Sequence, residues 1–124
     1  MRSRYIRRKY GQNYLTDKSV LFKMADAISP TTSDSFLEIG PGLGALTEQI
    51  NKDDINIIAI DIDSENTEIL KKKFTGPANF QFLTDDILKY KIENDRQRIV
   101  GNLPYNISTQ IILKLTASCE KILD

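Results

Sequence analysis

The chain has 124 residues, enough for one α/β domain and too few for two. Its 17 basic and 17 acidic residues cancel, yet residues 1–23 hold seven of the basic ones and a single acid, Asp17. The absence of His and the presence of one Cys exclude His-based triads, His-rich or Cys-cluster metal sites and an internal disulfide. No apolar run is long enough for a membrane span, and the arginine-rich start lacks the apolar stretch of a secretory signal. A cytoplasmic protein with no membrane partner and no metal is therefore expected.

Residues 1–10 form a basic arm containing Arg4, Arg7, Arg8 and Lys9, followed by one domain over 11–124. The arm suits an anionic partner, although a solvated tail would have the same composition. Thr16 or Asp17 can cap a first helix with Val20, Leu21, Met24, Ala25 and Ile28 on one face and Pro30 closing it. Ser35 to Ile39 reads as a strand. Gly40-Pro41-Gly42-Leu43-Gly44 turns into a helix carrying Leu43, Leu46 and Ile50.

The near-continuous apolar run Ile55 to Ile60, interrupted by Asn56, suits a strand buried on both faces. Ser64 can cap the next helix, with Ile69, Leu70 and Phe74 inward and Lys71 to Lys73 solvated; Gly76-Pro77 ends it. Phe80 to Leu83 and Arg98 to Gly101 read as two more strands, and Ser108 can cap a last helix with Ile111, Ile112 and Leu115 inward. Lys121-Ile122-Leu123 resembles the start of a further strand. Cys119 is expected to be a buried, inert thiol. Strands separated by helices predict a parallel sheet. Four strands alone leave edges without an obvious cover.

The chemistry gathers at predicted strand ends. The glycine turn after the first strand allows close approach of a ligand at a helix start. Asp61, 21 residues after Gly40, stands where an acid would accept both ribose hydroxyls. Pro41 removes a backbone donor, and Glu38 places a carboxyl beside the loop, which disfavours a pyrophosphate and suits S-adenosylmethionine. Asp86 can accept from an adenine amino group or simply cap a turn. After Ile99-Val100, Asn102-Leu103-Pro104-Tyr105 offers an amide, a proline-held carbonyl and an aromatic ring, a grip for a planar amine such as adenine N6.

Five blocks now resemble the ribosomal small-subunit (16S) RNA adenine N6,N6-dimethyltransferases. They are Tyr10 to Asp17, Leu37 to Thr47, Ile60 to Asp63, Asp85 to Ile87 and Gly101 to Ser108, in that family's order. The wording Asn-Leu-Pro-Tyr-Asn-Ile-Ser at 102–108 is its most specific part. The resemblance implies an α/β, Rossmann-like S-adenosylmethionine-dependent methyltransferase fold. The chain would supply the first half of its parallel sheet, about four strands with flanking helices, and stop before the remaining strands and a C-terminal helical domain.

The same resemblance implies residue roles. Gln12, Asn13 and Leu15 would reach the cofactor from the N-terminal segment. Gly40 would lie against its methionine part, Asp61 on the ribose and Asp86 on the adenine, with Gly42 and Ile87 also binding the cofactor. Asn102 would border both cofactor and substrate, with Leu103, Pro104 and Tyr105 holding the target base. Arg4, Arg7, Arg8 and Lys9 would grip RNA of the small ribosomal subunit. A complete parent would be a monomer; this shorter chain would be inactive and self-associate through an uncovered strand edge. A non-catalytic RNA-binding assembly factor and a nicotinamide-dependent oxidoreductase are the competing readings.

Overall fold

The computed structural model describes residues 17–52, 54–75, 79–94, 96–102 and 105–124. Arg4, Arg7, Arg8, Lys9, Gln12, Asn13, Leu15, Thr16, Gly76, Pro77, Leu103 and Pro104 lie outside the described residues, as does the side chain of Tyr105.

Asp17 starts the first helix, α1 (Lys18–Ile28). Its carboxylate accepts from the Ser19 N–H at 2.9 Å and the Val20 N–H at 3.4 Å, two donors that the helix cannot satisfy itself. At the other end Ser29 turns left-handed and donates its N–H to the Ala25 carbonyl; Pro30 follows. Leu21 is buried and Met24 and Ile28 pack against the same core. Val20 is 40% exposed, so the inward stripe is narrower than its apolar spacing predicts.

Four strands make a parallel sheet: β1 (Ser35–Ile39), β2 (Asn56–Asp61), β3 (Phe80–Thr84) and β4 (Arg98–Gly101), in the order β3-β2-β1-β4. Alternation along the strands divides the core in two. Phe36, Ile57, Ala59 and Phe82 pack on one face with Leu21, Leu46, Ile50 and Leu70 from the helices. Leu37, Ile39 and Ile60 pack on the other with Ile87, Ile92 and Ile111. Burial on both faces explains the nearly unbroken apolar run of β2.

The remaining helices correct several expectations. Helix α2 (Ala45–Ile50) buries Leu46, Thr47 and Ile50, whereas Leu43 lies in the preceding turn and is exposed. Helix α3 (Ser64–Lys73) is capped by Asp63, not Ser64: Asp63 has extended backbone and its carboxylate accepts from the Glu65 N–H at 2.9 Å. Its buried face is Asn66, Thr67 and Leu70, with Phe74 packed beyond, and Ile69 points to solvent. Helix α4 (Tyr105–Ala117) begins three residues before Ser108, so Ser108 is no cap. Ile111 is fully buried and Leu115 packs beside it, but Ile112 is 57% exposed, because neighbouring helical positions point about 100° apart. Cys119 is exposed, in a 3-10 turn (Cys119–Lys121) on the surface after α4.

The last residues do pair as a strand would. Ile122 bridges Gln97 in parallel; Leu123 donates its N–H to the Gln97 carbonyl, and Ile99 donates to the Asp124 carbonyl. They occupy part of the outer edge of β4, while β3 has β2 as its one neighbour among the described strands. Arg98 fastens this end of the sheet. Its guanidinium meets Asp34 at 3.0 Å and Asp124 at 2.7 Å, donates to the Ile28 carbonyl at 2.6 Å, and lies over the Phe36 ring. Among the described residues no helix is long and apolar enough to cross a membrane.

Candidate functional site

The register brings four sequence-predicted positions to one edge. Ile39 pairs with Ile60 on one side and Gly101 on the other, and Asp61 pairs with Thr84. The carboxyl ends of β3, β2, β1 and β4 therefore carry Asp86, Asp61, Gly40 and Asn102 in that spatial order. Three strand spacings separate the outer two, about 14 Å. Between β1 and β4 the strand order reverses, which is where open α/β sheets open a crevice for ligands.

At the centre, Gly40 (φ +66°), Gly42 (φ +59°) and Gly44 (φ +87°) turn the chain from β1 into α2. The Gly40 N–H still reaches the Ile60 carbonyl at 2.8 Å, so the loop leaves the sheet only after it. Two of these glycines differ in their surroundings. A Cβ on Gly44 would stand 2.8 Å from Leu70 Cδ2 and 2.9 Å from Phe74 Cε2. A Cβ on Gly40 would meet none of the described residues within 4 Å. Gly44 is a packing glycine, whereas Gly40, at the switch point, is uncrowded by the described residues.

Asp61 holds this loop from below. Its carboxylate accepts from the Gly42 N–H at 3.0 Å, the Asp63 N–H at 2.9 Å and the Asn66 amide at 3.5 Å, and the residue is 2% exposed. Burial pushes its carboxyl upward against these hydrogen bonds. Asp61 thus scaffolds the loop as well as standing at the expected ribose position. Asp86 is half-buried; one of its oxygens accepts from the Leu88 N–H at 2.9 Å, the turn-capping role that its position also allowed. Ile87 is buried in the second core cluster. Asn102 is exposed one residue past the end of β4 and three before the start of α4.

Two features escaped the sequence reading. Ile62, flanked by Asp61 and Asp63, is 39% exposed on this edge and offers an apolar surface. Glu38, expected to charge the loop from the side, is instead buried under it. The Thr47 hydroxyl donates to it at 2.5 Å, tying β1 to α2. Burial drives its carboxyl up to about 7, and the charge of Asp61 adds to the rise against the Thr47 hydrogen bond. Strand alternation at Glu38 was the signal that would have placed it on the α2 face.

Such an edge is shared by several nucleotide-binding α/β folds, and the comparisons assign this one to the S-adenosylmethionine-dependent methyltransferase fold. Residues 4–123 match the model of the ribosomal RNA adenine dimethylase family. The ribosomal RNA small subunit methyltransferase A of Hahella chejuensis is 40% identical over 114 residues, covering 88% of this chain and 42% of that protein. Among solved structures, a dimethyladenosine transferase from Plasmodium falciparum is 32% identical with a TM-score of 0.72, covering 85% of this chain and 38% of its own. The 23S rRNA methyltransferase ErmE superimposes with a TM-score of 0.75 at 25% identity, covering 89% and 45% respectively.

The chain belongs to the ribosomal RNA adenine dimethylase family. It spans about half the length of the curated relatives it matches. Family membership removes the nicotinamide-dependent reading.

Proposed function

We propose that this chain forms the cofactor-binding part of an enzyme that dimethylates adenine N6 in a loop of small-subunit ribosomal RNA during ribosome biogenesis. The observation that carries the reading is the order of chemistry along the sheet edge. Asp86, Asp61, Gly40 and Asn102 stand at the carboxyl ends of adjacent strands, an order that would suit the adenine, ribose and methionine parts of a nucleoside-based donor followed by its acceptor.

S-adenosylmethionine fits the residues present. The described residues leave space beside Gly40 for a ligand, and the Asp61 carboxyl at the end of β2 suits a cationic one. Gly40 and Gly42 would hold its methionine part, Asp61 its ribose, and Asp86 its adenine amino group, with Ile62 as apolar wall; Asn13 and Leu15, with Gln12, would contribute further contacts. When bound, it supplies a methyl group activated on a sulfonium.

The chain's own contribution is to prepare the nucleophile. The N6 lone pair is delocalised into the adenine ring and points nowhere useful. The Asn102 side-chain oxygen and the Leu103 carbonyl would accept its two hydrogens and so orient the lone pair toward the methyl group, with Pro104 and Tyr105 helping to hold the base. This is positioning and electrostatics, with no general base. The base must be unstacked to enter, which a loop of RNA allows cheaply. Arg4, Arg7, Arg8 and Lys9 would grip its phosphates.

Transfer of labelled methyl groups to undermethylated small subunits by the complete gene product tests the reading. Label in adenine is expected, and loss of it in Asn102→Ala with cofactor binding intact. Binding without transfer by the unaltered protein would favour a non-catalytic assembly factor.

A further inference from the structure

Phe22 on α1 is the one exposed aromatic ring among the described residues, 56% exposed, while Phe36, Phe74, Phe80 and Phe82 all pack into the core. Val20, two residues earlier, is exposed as well. Each of these apolar side chains has a lysine within one turn: Lys18 lies four residues before Phe22, and Lys23 three after Val20. Both lysines are exposed, and neither belongs to an ion pair among the described residues. Apolar surface and cations thus alternate around the outward face of the helix.

Helix α1 runs against β4. Arg98, the first residue of β4, donates to the carbonyl of Ile28, the last residue of α1, at 2.6 Å. Val100 packs against the cluster that holds Leu21 and Met24. From Ile28 back to Lys18 the helix rises about 15 Å, and from Arg98 to Asn102 the strand advances about 13 Å. The first turn of α1 therefore stands beside the carboxyl edge of the sheet, near the level of Asn102. RNA that presents an adenine at Asn102 has this face next to it.

Charge selects the occupant. Residues 1–23 carry seven basic residues and one acid, Asp17, whose carboxylate is occupied by Ser19 and Val20. Asp26 sits one turn beyond Phe22, toward the far end of the helix. Every nucleobase has a face to stack on a bare ring, and ammonium groups meet phosphates without reading sequence. We infer that the outward face of α1 is a contact surface for single-stranded RNA beside the target adenine, with a neighbouring base stacked on Phe22 and backbone phosphates met by Lys18 and Lys23. This inference rests on the RNA substrate of the proposed function.

Loss of one stacked base weakens single-strand binding about tenfold. Each lysine that meets a phosphate adds about 0.7 to the slope of log affinity against log salt. In the complete gene product, Phe22→Ala should raise KM for undermethylated small subunits about tenfold and leave kcat and S-adenosylmethionine affinity unchanged, because the stacked base is held equally before and during methyl transfer.

Fluorescence anisotropy of a labelled single-stranded oligoadenylate RNA, titrated with this chain at several salt concentrations, tests the surface. Phe22→Ala is expected to weaken binding about tenfold and Phe22→Tyr to restore it, while Lys18→Gln and Lys23→Gln each flatten the salt slope by about 0.7. Unchanged RNA affinity and salt slope in Phe22→Ala and both lysine variants, or no RNA binding by the unaltered chain, would overturn the inference and leave methyl transfer standing. Self-association in sedimentation that Phe22→Ala abolishes, with RNA affinity unchanged, would overturn it by assigning the face to a second copy. Phe22-dependent RNA binding without methyl transfer by the unaltered complete gene product would sink the methylation reading and leave the surface in place.

Discussion

Gly40 and Gly44 show how two glycines of one loop answer to different constraints. Both have positive φ, so any side chain costs about 1–3 kcal/mol in backbone strain. Gly44→Ala adds overlap with Leu70 and Phe74 and should lower stability by about 2 kcal/mol or more, readable as a reduced denaturation midpoint. Gly40→Ala has room for its methyl group but fills the space assigned to the ligand. It should weaken S-adenosylmethionine binding at least tenfold beyond what its stability loss explains. Equal effects of both variants on binding and stability would contradict the distinction.

Glu38 makes a separate prediction about stability. Unfolded it titrates near 4.5; folded, burial and Asp61 raise it to about 7. The fold therefore binds the proton more tightly. That contribution is complete below pH 4.5 and is lost as pH rises through 7, a change of about 3 kcal/mol. Asp61 shifts in the same direction. Denaturant titrations at pH 5 and pH 8 should show wild type losing stability toward pH 8 and Glu38→Gln losing much less; identical slopes would rule out Glu38 as the source.

At the scale of elements, Arg98 joins three parts that the sheet alone leaves apart. Its guanidinium links the end of α1, the start of β1 at Asp34 and the terminal segment at Asp124. The Asp34 partner is largely enclosed, so removing the cation leaves a partly buried carboxylate unpaired. Arg98→Ala should cost about 2 kcal/mol, a drop in Tm of roughly 8 °C for a chain of this size. Arg98→Lys should recover only part of it, because one ammonium cannot serve both carboxylates and two carbonyls. Full recovery in the lysine variant would show that charge alone matters.

Across the whole molecule, what could be read beforehand was what local pattern determines. The four strands fall within a residue of their expected places because each is a short apolar run bounded by turn residues. The glycine turn, Asp61, Asp86 and Asn102 were legible as strand-end positions for the same reason. Side-chain direction within helices was less so: Ile69-Leu70 and Ile111-Ile112 are adjacent apolar pairs, and only the packing decides which member faces the sheet. Ser64 and Ser108 resembled caps, but Asp63 was the residue with extended backbone, and α4 started earlier. Glu38 was misjudged because a carboxyl next to a loop reads as surface until the strand partner and Thr47 enclose it. The strand order β3-β2-β1-β4, which sets the spatial order of the site, depends on pairing between distant segments.

That order is the central claim, and amide chemical shifts of this chain during titration with S-adenosylmethionine test it most directly. Shifts should concentrate at Gly40, Gly42, Ile62, Asp86 and Asn102, along the carboxyl edge of all four strands. Shifts confined to the opposite edge, around Ser35, Asn56, Phe80 and Arg98, would contradict it.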